Sequence, residues 1–140
     1  MAASDQIHAS AVSISGKGCL ITGDPGSGKS TLALELIALG AQLIADDRVD
    51  LSVTDGEVLL SCPHRLQGLI EARGVGLISL DPATVAVACH IVIDLNQVLE
   101  RMPGLIQRDL LGISCPVIFG KDRSGLASII YLLVQSGRLL

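Results

Sequence analysis

The stretch Gly23-Asp24-Pro25-Gly26-Ser27-Gly28-Lys29-Ser30 matches G-x-x-x-x-G-K-[ST] in full, between an apolar run that reads as a strand and one that reads as a helix. Phosphate oxygens need several donors converging from a close backbone. Glycines permit that approach, and the first-turn amides of a following helix point unpaired at an anion. In such a loop Lys29 bridges the outer phosphates and Ser30 offers its hydroxyl to Mg²⁺, which favours oxygen ligands in octahedral geometry. Binding of ATP or GTP follows from these residues; the reaction does not. A glycine-rich turn with a solvated lysine would not need the complete motif in this context.

Phosphoryl transfer asks a protein for positioning, charge neutralisation and a group that exchanges the hydroxyl proton. The chain has only four glutamates, so acidic candidates are few. Asp46 and Asp47 follow the apolar Leu43-Ile44-Ala45, one helix and one turn downstream of Lys29. Neighbouring side chains on a strand point to opposite faces, so both acids serve one pocket only if the strand ends there. One carboxylate would then take the proton, and the other would support the metal, its water or a backbone turn. Asp46-Asp47-Arg48 also reads as an exposed acidic turn with an adjacent ion pair.

Ile70-Glu71-Ala72-Arg73-Gly74-Val75-Gly76 sets an acid and a base two apart, on one face by alternation, ahead of glycines that let the backbone bend close to a ligand. Local chemistry allows equally a surface pair beside a turn. Arg101 and Arg123 are candidate phosphate clamps, since a guanidinium binds oxyanions bidentately, or ordinary surface arginines. His8, just ahead of the first strand, reads by itself as a solvated or capping residue. His64 and His90 have no acidic or cysteine neighbour at metal-ligand spacing.

The elements that must position these groups follow from periodicity. Ala11–Ser15 and Cys19–Thr22 flank Gly16-Lys17-Gly18 as a hairpin. Ser30–Leu39 reads as a largely buried helix stopped by Gly40. Leu43–Ala45 is a short strand, and Val49–Val53 and Val58–Ser61 flank the hairpin turn Asp55-Gly56. Leu77–Leu80 and Val85–Asp94 read as further strands. Asn96–Leu111 is ambiguous, broken by Pro103-Gly104. A loop with Lys121, Asp122 and Arg123 follows Pro116–Phe119, and Leu126–Gln135 reads as a closing helix, although Ile129 and Ile130 also suit a strand. Helices mixed with hairpins and crossovers imply an α/β domain with a mixed sheet. Residues 1–6 read as a flexible end and 7–140 as a single domain, with no repeat or linker.

At 140 residues the chain is about one domain's length and buries roughly 70% of its unfolded surface on folding. Hydrophobic residues make up 49% but aromatics 1%, so the interior is aliphatic. With only Phe119 and Tyr131 as stacking faces, and 10 Lys+Arg against 14 Asp+Glu, nucleic acid is an unfavourable partner. Met1–Ile7 lacks the basic cluster and apolar run of a secretory signal, and the longest apolar run is too short to span a bilayer; a soluble, cytoplasmic protein is expected. Cys19, Cys62, Cys89 and Cys115 form no short-spaced pair and read as reduced, mostly buried residues.

In order, His8, Gly16-Lys17-Gly18, the loop Gly23–Ser30, Ala45-Asp46-Asp47-Arg48-Val49 and Ile70–Gly76 closely resemble the catalytic domain of HPr kinase/phosphorylase, from about His8 to Gly76 and more loosely to Pro116. The resemblance implies ATP- and Mg²⁺-dependent phosphorylation of a serine on HPr, the phosphocarrier of the sugar phosphotransferase system. It also implies reversal with inorganic phosphate to give pyrophosphate. The implied fold is a P-loop α/β domain like the nucleotide-binding part of phosphoenolpyruvate carboxykinase, in which a hairpin precedes the phosphate loop. By matching position, Asp47 resembles the proton acceptor in the kinase direction and donor in the reverse one, with Asp46 beside it. Ser30 and Glu71 resemble the Mg²⁺ ligands, and Lys29, His8 and Arg101 resemble catalytic-site residues. The resemblance is to the short form of the family without its N-terminal domain, and it implies a homohexamer. Pro116-Val117-Ile118-Phe119-Gly120-Lys121 departs from the family's dephosphorylation loop.

Two other classes share the phosphate loop. A small-molecule P-loop kinase closes an arginine-bearing lid over its phosphates, and no lid insertion stands out. A non-catalytic ATP sensor needs no proton acceptor, whereas Asp46, Asp47 and Glu71 supply candidates.

Overall fold

The structure, a computed structural model, describes residues 4–98 and 106–136. In chain order the elements are β1 (Ser4–Ile7), β2 (Ser10–Ile14), β3 (Lys17–Thr22), α1 (Lys29–Leu39), β4 (Gln42–Ala45), β5 (Val49–Thr54) and β6 (Glu57–Ser61). A single 3-10 turn (His64–Leu66) leads to β7 (Leu69–Ala72), β8 (Gly76–Ser79), β9 (Val87–Val98), β10 (Ile106–Leu110), β11 (Ile113–Lys121) and α2 (Leu126–Gln135). Among these residues no helix is long and apolar enough to cross a membrane.

The sheet is mixed, as its hairpins and crossovers require. One path runs β1-β5-β6-β9-β3-β2-β4, with β11 joined to β9 and β10 to β11. β9 runs parallel to β3 and β11, while the hairpin pairs β2–β3, β5–β6 and β10–β11 are antiparallel. Both expected hairpins form through paired left-handed residues: Asp55 (φ 53°) with Gly56 (φ 76°) as expected, and Ser15 (φ 51°) with Gly16 (φ 81°), so the turn expected over Gly16-Lys17-Gly18 lies earlier and Lys17 and Gly18 belong to β3.

The central strands are buried on both faces, so alternation sorts their side chains between two cores. Val12, Ile14, Cys19, Ile21, Ile91 and Ile93 pack beneath α1 and α2. Ala11, Leu20 and Val92, the residues between them, enter a second core with Ile44, Val49, Leu51 and Leu60. Each fully buried aliphatic side chain contributes about 1.5–3 kcal/mol, and these layers hold the sheet edge that carries the phosphate loop. Cys19 and Cys115 are buried and all four thiols are free. Burial pushes the Cys19 and Cys89 thiols up to about 12, which keeps them protonated and unreactive near neutrality.

Three expectations change. Residues 4–6, expected to be flexible, pair with β5 from Ser4↔Ser52 onward, and the Gln6 amide donates to Asp50 Oδ1 at 2.8 Å across that edge. Helix α1 is buried along Leu32, Ala33 and Leu36 only, leaving Thr31 and Glu35 exposed. The strand expected to end at Asp94 continues to Val98, because β11 keeps pairing with it up to Lys121↔Val98. Pro116 lies inside β11 opposite Gln107 of β10, one residue before the parallel pairing with β9 begins at Val117. Leu126–Gln135 is helical, since spacing of three and four residues buries Leu126, Ala127, Ile130 and Val134 on one face.

Candidate active site

Strand register gathers the candidate residues at one sheet edge. Ser10 pairs with Ile21 and Ala11 with Ala45, so the start of β2 meets the ends of β3 and β4. Thr22, the last residue of β3, pairs with Asp94 of β9. The chain leaves β3 there, makes the loop and enters α1.

The loop is shaped by glycine. Gly28, the N-cap of α1, has φ 100° and supplies no side-chain cap, so the first-turn amides keep their capacity for an external acceptor. A Cβ placed on Gly26 or Gly28 would meet nothing within 4 Å, which leaves open room over the loop. Gly23 has the opposite constraint: its Cβ would lie 2.3 Å from Ser27 Oγ. That hydroxyl is itself buried and has no hydrogen-bond partner among the described residues. Lys29 Nζ folds back to donate to the carbonyls of Gly23 (2.8 Å) and Asp24 (3.1 Å). An ammonium held over the loop, open glycine faces and uncapped amides fit a polyphosphate.

Asp46 and Asp47 follow the end of β4 and differ in burial. Asp46 is buried, and its Oδ1 accepts hydrogen bonds from Ser10 Oγ (2.7 Å) and Ser30 Oγ (2.8 Å). Two hydroxyl donors offset the cost of burying the carboxylate. Since the Ser30 proton points at Asp46, the hydroxyl's lone pairs remain for another ligand. Asp47 is exposed and left-handed (φ 70°), with its carbonyl accepting from the Ala9 N–H at 3.3 Å. The Arg48 guanidinium donates to the Gln6 side-chain oxygen at 3.3 Å rather than to either carboxylate, so the acidic turn with an adjacent ion pair is not what forms.

Ser10, Gly28, Lys29, Ser30, Asp46 and Asp47 line one side of a cleft of about 600 Å³, and Glu71 and Arg73 line it from β7 and its turn. Glu71 and Arg73 thus border one space, although β7 ends at Ala72 and Arg73 reaches it from the turn rather than by strand alternation. No three acidic, histidine or cysteine side chains converge on a metal position among the described residues. Mg²⁺ does not require such a cage: it uses one or two carboxylates together with substrate phosphates, a donor set that Ser30 and Glu71 fit.

His8 is exposed at the bend between β1 and β2 and does not line the cleft, although its neighbour Ala9 is bonded to Asp47. Pro25 and Gly26 reach the cleft rim, whereas Gly23 and Asp24 do not. Arg101 lies outside the described residues.

Sequence reasoning missed Ser10 and a chain of contacts bracing the loop. Asp94 is buried and paired with Arg108, whose other nitrogen donates to Thr22 Oγ1 at 3.4 Å. Asp94 Oδ1 accepts from the Asn96 N–H (2.8 Å), and the Asn96 side-chain oxygen accepts from the Asp24 N–H (2.9 Å). The signal available was an acid ending the apolar run Ile91-Val92-Ile93. Nothing local marks Ser10, Asn96 or Arg108, whose partners are remote in sequence.

The sequence matches the family model of the HPr serine kinase C-terminal domain over residues 1–113. The HPr kinase/phosphorylase of Clostridium tetani is 39% identical over 101 residues, 65% of this chain and 33% of that protein. Its counterpart in Limosilactobacillus reuteri is 43% identical over 109 residues, 76% of this chain and 34% of that protein. The chain therefore spans about a third of the length of these curated relatives. The solved structure of the Hpr(Ser) kinase/phosphatase from Coxiella burnetii superposes with a TM-score of 0.81 at 32% identity, covering 93% of each chain.

Proposed function

Because the chain belongs to the HPr serine kinase C-terminal domain family, we propose that it transfers the terminal phosphoryl group of ATP to a serine of an HPr-type phosphocarrier protein, and reverses that transfer with inorganic phosphate to release pyrophosphate. The observation that carries this reading is the shared cleft: the phosphate loop and two acids of different burial, Asp46 and Asp47, face one space.

Each residue's part follows from its surroundings. The α1 amides and Lys29 hold the polyphosphate, with Gly23–Ser30 as the loop. Exposed Asp47 accepts the serine proton in the kinase direction and returns it in reverse. Buried Asp46, whose Oδ1 accepts from two hydroxyls, orients Ser30 instead of exchanging protons. Ser30 and Glu71 would hold Mg²⁺, which supplies charge neutralisation on the outer phosphates. Arg101 and His8 are proposed as further catalytic-site residues on the family resemblance alone. The same reading takes residues 7–140 as one catalytic unit, related in its P-loop layout to phosphoenolpyruvate carboxykinase, acting as a homohexamer in the cytoplasm.

The test is to incubate the purified protein with Mg-ATP and an HPr protein and to look for phosphoserine by intact mass and peptide mapping. Serine phosphorylation is expected, with pyrophosphate released when phosphorylated HPr and inorganic phosphate are supplied. Phosphorylation of small metabolites alone would support a small-molecule kinase, and ATP binding without transfer would support a sensor.

A narrower expectation concerns the metal. Glu71→Gln removes a carboxylate that is exposed in the cleft, so folding is expected to be unchanged within about 0.5 kcal/mol. The Mg²⁺ concentration for half-maximal transfer is expected to rise by about tenfold or more. An unchanged metal titration would remove Glu71 from this role.

A further inference from the structure

One peptide unit joins β3 to the body of the phosphate loop. Its carbonyl, from Gly23, accepts from Lys29 Nζ at 2.8 Å, and its N–H, from Asp24, donates to Asn96 Oδ1 at 2.9 Å. A trans peptide is planar and its C=O and N–H point in opposite directions, so these two bonds grip one plane from both ends. Glycine at position 23 (φ 156°) would otherwise let that plane turn. Asn96 therefore sets the direction of the carbonyl on which the Lys29 ammonium rests.

The same side chain makes a second bond to the same residue: Asn96 Nδ2 donates to Asp24 Oδ1 at 3.3 Å. Asp24 is the one acid in Gly23–Ser30, and it does not line the cleft. Held beside β9, its carboxylate is kept from repelling an anion over the glycines. Asn96 is in turn fixed from behind. Its N–H donates to Oδ1 of buried Asp94 at 2.8 Å, and Asp94 Oδ2 is paired with Arg108 of β10. A buried carboxylate needs such partners, so the backbone at residue 96 is anchored although its side chain is exposed.

We infer that Asn96 is a positioning residue for the phosphate loop, orienting the Gly23–Asp24 peptide so that Lys29 is aimed over the loop and holding the Asp24 carboxylate out of the anion's path. The inference rests on the proposed reading of the loop as a polyphosphate site. Order built in before binding is order the ligand need not impose, so the effect falls on affinity. Asp47 and Glu71 stand on other elements and keep their places, so the transfer step at saturating ATP is spared.

The test is calorimetric titration with Mg²⁺ present, using ATP and tripolyphosphate, which share the phosphate tail. Asn96→Ala is expected to weaken both ligands by about fivefold or more and by the same factor, the worth of one or two hydrogen bonds. Its melting temperature is expected to stay within about 3 °C of the wild type, because the side chain is exposed. In transfer to HPr the KM for ATP is expected to rise by that factor, with kcat within about threefold. Asn96→Asp keeps an acceptor for the Asp24 N–H but sets two carboxylates against each other, and is expected to bind as weakly as Asn96→Ala. The exchange variant Asp24→Asn/Asn96→Asp restores a donor and an acceptor in reversed order, and is expected to recover affinity to within about twofold of the wild type. Unchanged binding in Asn96→Ala, a loss confined to kcat, a fall in melting temperature that matches the loss of affinity, or an exchange variant no better than Asn96→Asp would overturn the role while leaving the loop as the polyphosphate site. Wild-type protein that binds neither ATP nor tripolyphosphate would overturn the proposed function and this role with it.

Discussion

Asp47→Asn is expected to lower phosphoryl transfer by about 10²–10⁴-fold in both directions, the usual contribution of a positioned general base, while ATP affinity changes by less than about threefold. The choice of asparagine is set by the backbone. Asp47 sits at φ 70°, a conformation that costs most side chains energy but that asparagine tolerates nearly as well as aspartate. Alanine would confound lost chemistry with strain in the turn between β4 and β5. Asparagine keeps the turn, and with it the Ala9 N–H bond to the residue 47 carbonyl. The Asp47 side chain is exposed in the cleft, so stability is expected to move by no more than about 0.5 kcal/mol. Single-turnover transfer to HPr, read beside ATP titration and thermal melting, separates these outcomes. Retained turnover would take the proton-exchange role from Asp47. Parallel loss of ATP binding would mean that the acid acts on the bound nucleotide rather than on the serine.

What was legible in the sequence depended on whether its signal was local. The second hairpin was marked by Asp55-Gly56, the first only by glycines that interrupt the alternation and left its turn misplaced by a residue or two, and the phosphate loop by glycines at fixed spacing; each needs only its neighbours to fold. Helix α1 was recognisable for the same reason, with Gly40 at its end. Burial was less legible. Thr31 and Glu35 face outward because α2 and β2 cover only one side of α1, which is a tertiary fact. The division of labour between Asp46 and Asp47 was inferable as a consequence of a strand ending, but which acid is buried was not. That depends on Ser10, brought opposite by the antiparallel pairing of β2 with β4. The bracing of the loop by Asn96 and of β9 by Arg108 was likewise hidden, because both depend on β9 running beside β3 from more than 70 residues away.

Asp46→Ala is expected to damage both the fold and the chemistry, through different partners. Ser10 is fully buried, so losing its acceptor leaves a hydroxyl with no access to water, a cost of about 1–3 kcal/mol. Ser30 borders the cleft and can recover a bond to solvent, so its loss registers in function. Relief of the buried charge partly offsets the first effect, and a net loss of about 1–2 kcal/mol is expected, a fall of several degrees in Tm. Because removing both members of a buried pair costs less than orphaning one, the double variant Ser10→Ala/Asp46→Ala is expected to be more stable than Asp46→Ala alone. Its transfer activity should not recover, since Ser30 still lacks the oxygen that orients it. Asp46→Asn offers an amide oxygen in the same position and is expected to retain most of the stability and, because that oxygen still orients Ser30, most of the Mg²⁺ affinity. If Asp46→Ala melted like the wild type, the Ser10 bond would carry no stability. If it also kept its Mg²⁺ titration, Asp46 would have no part in positioning Ser30, and the buried acid would be silent in both fold and site.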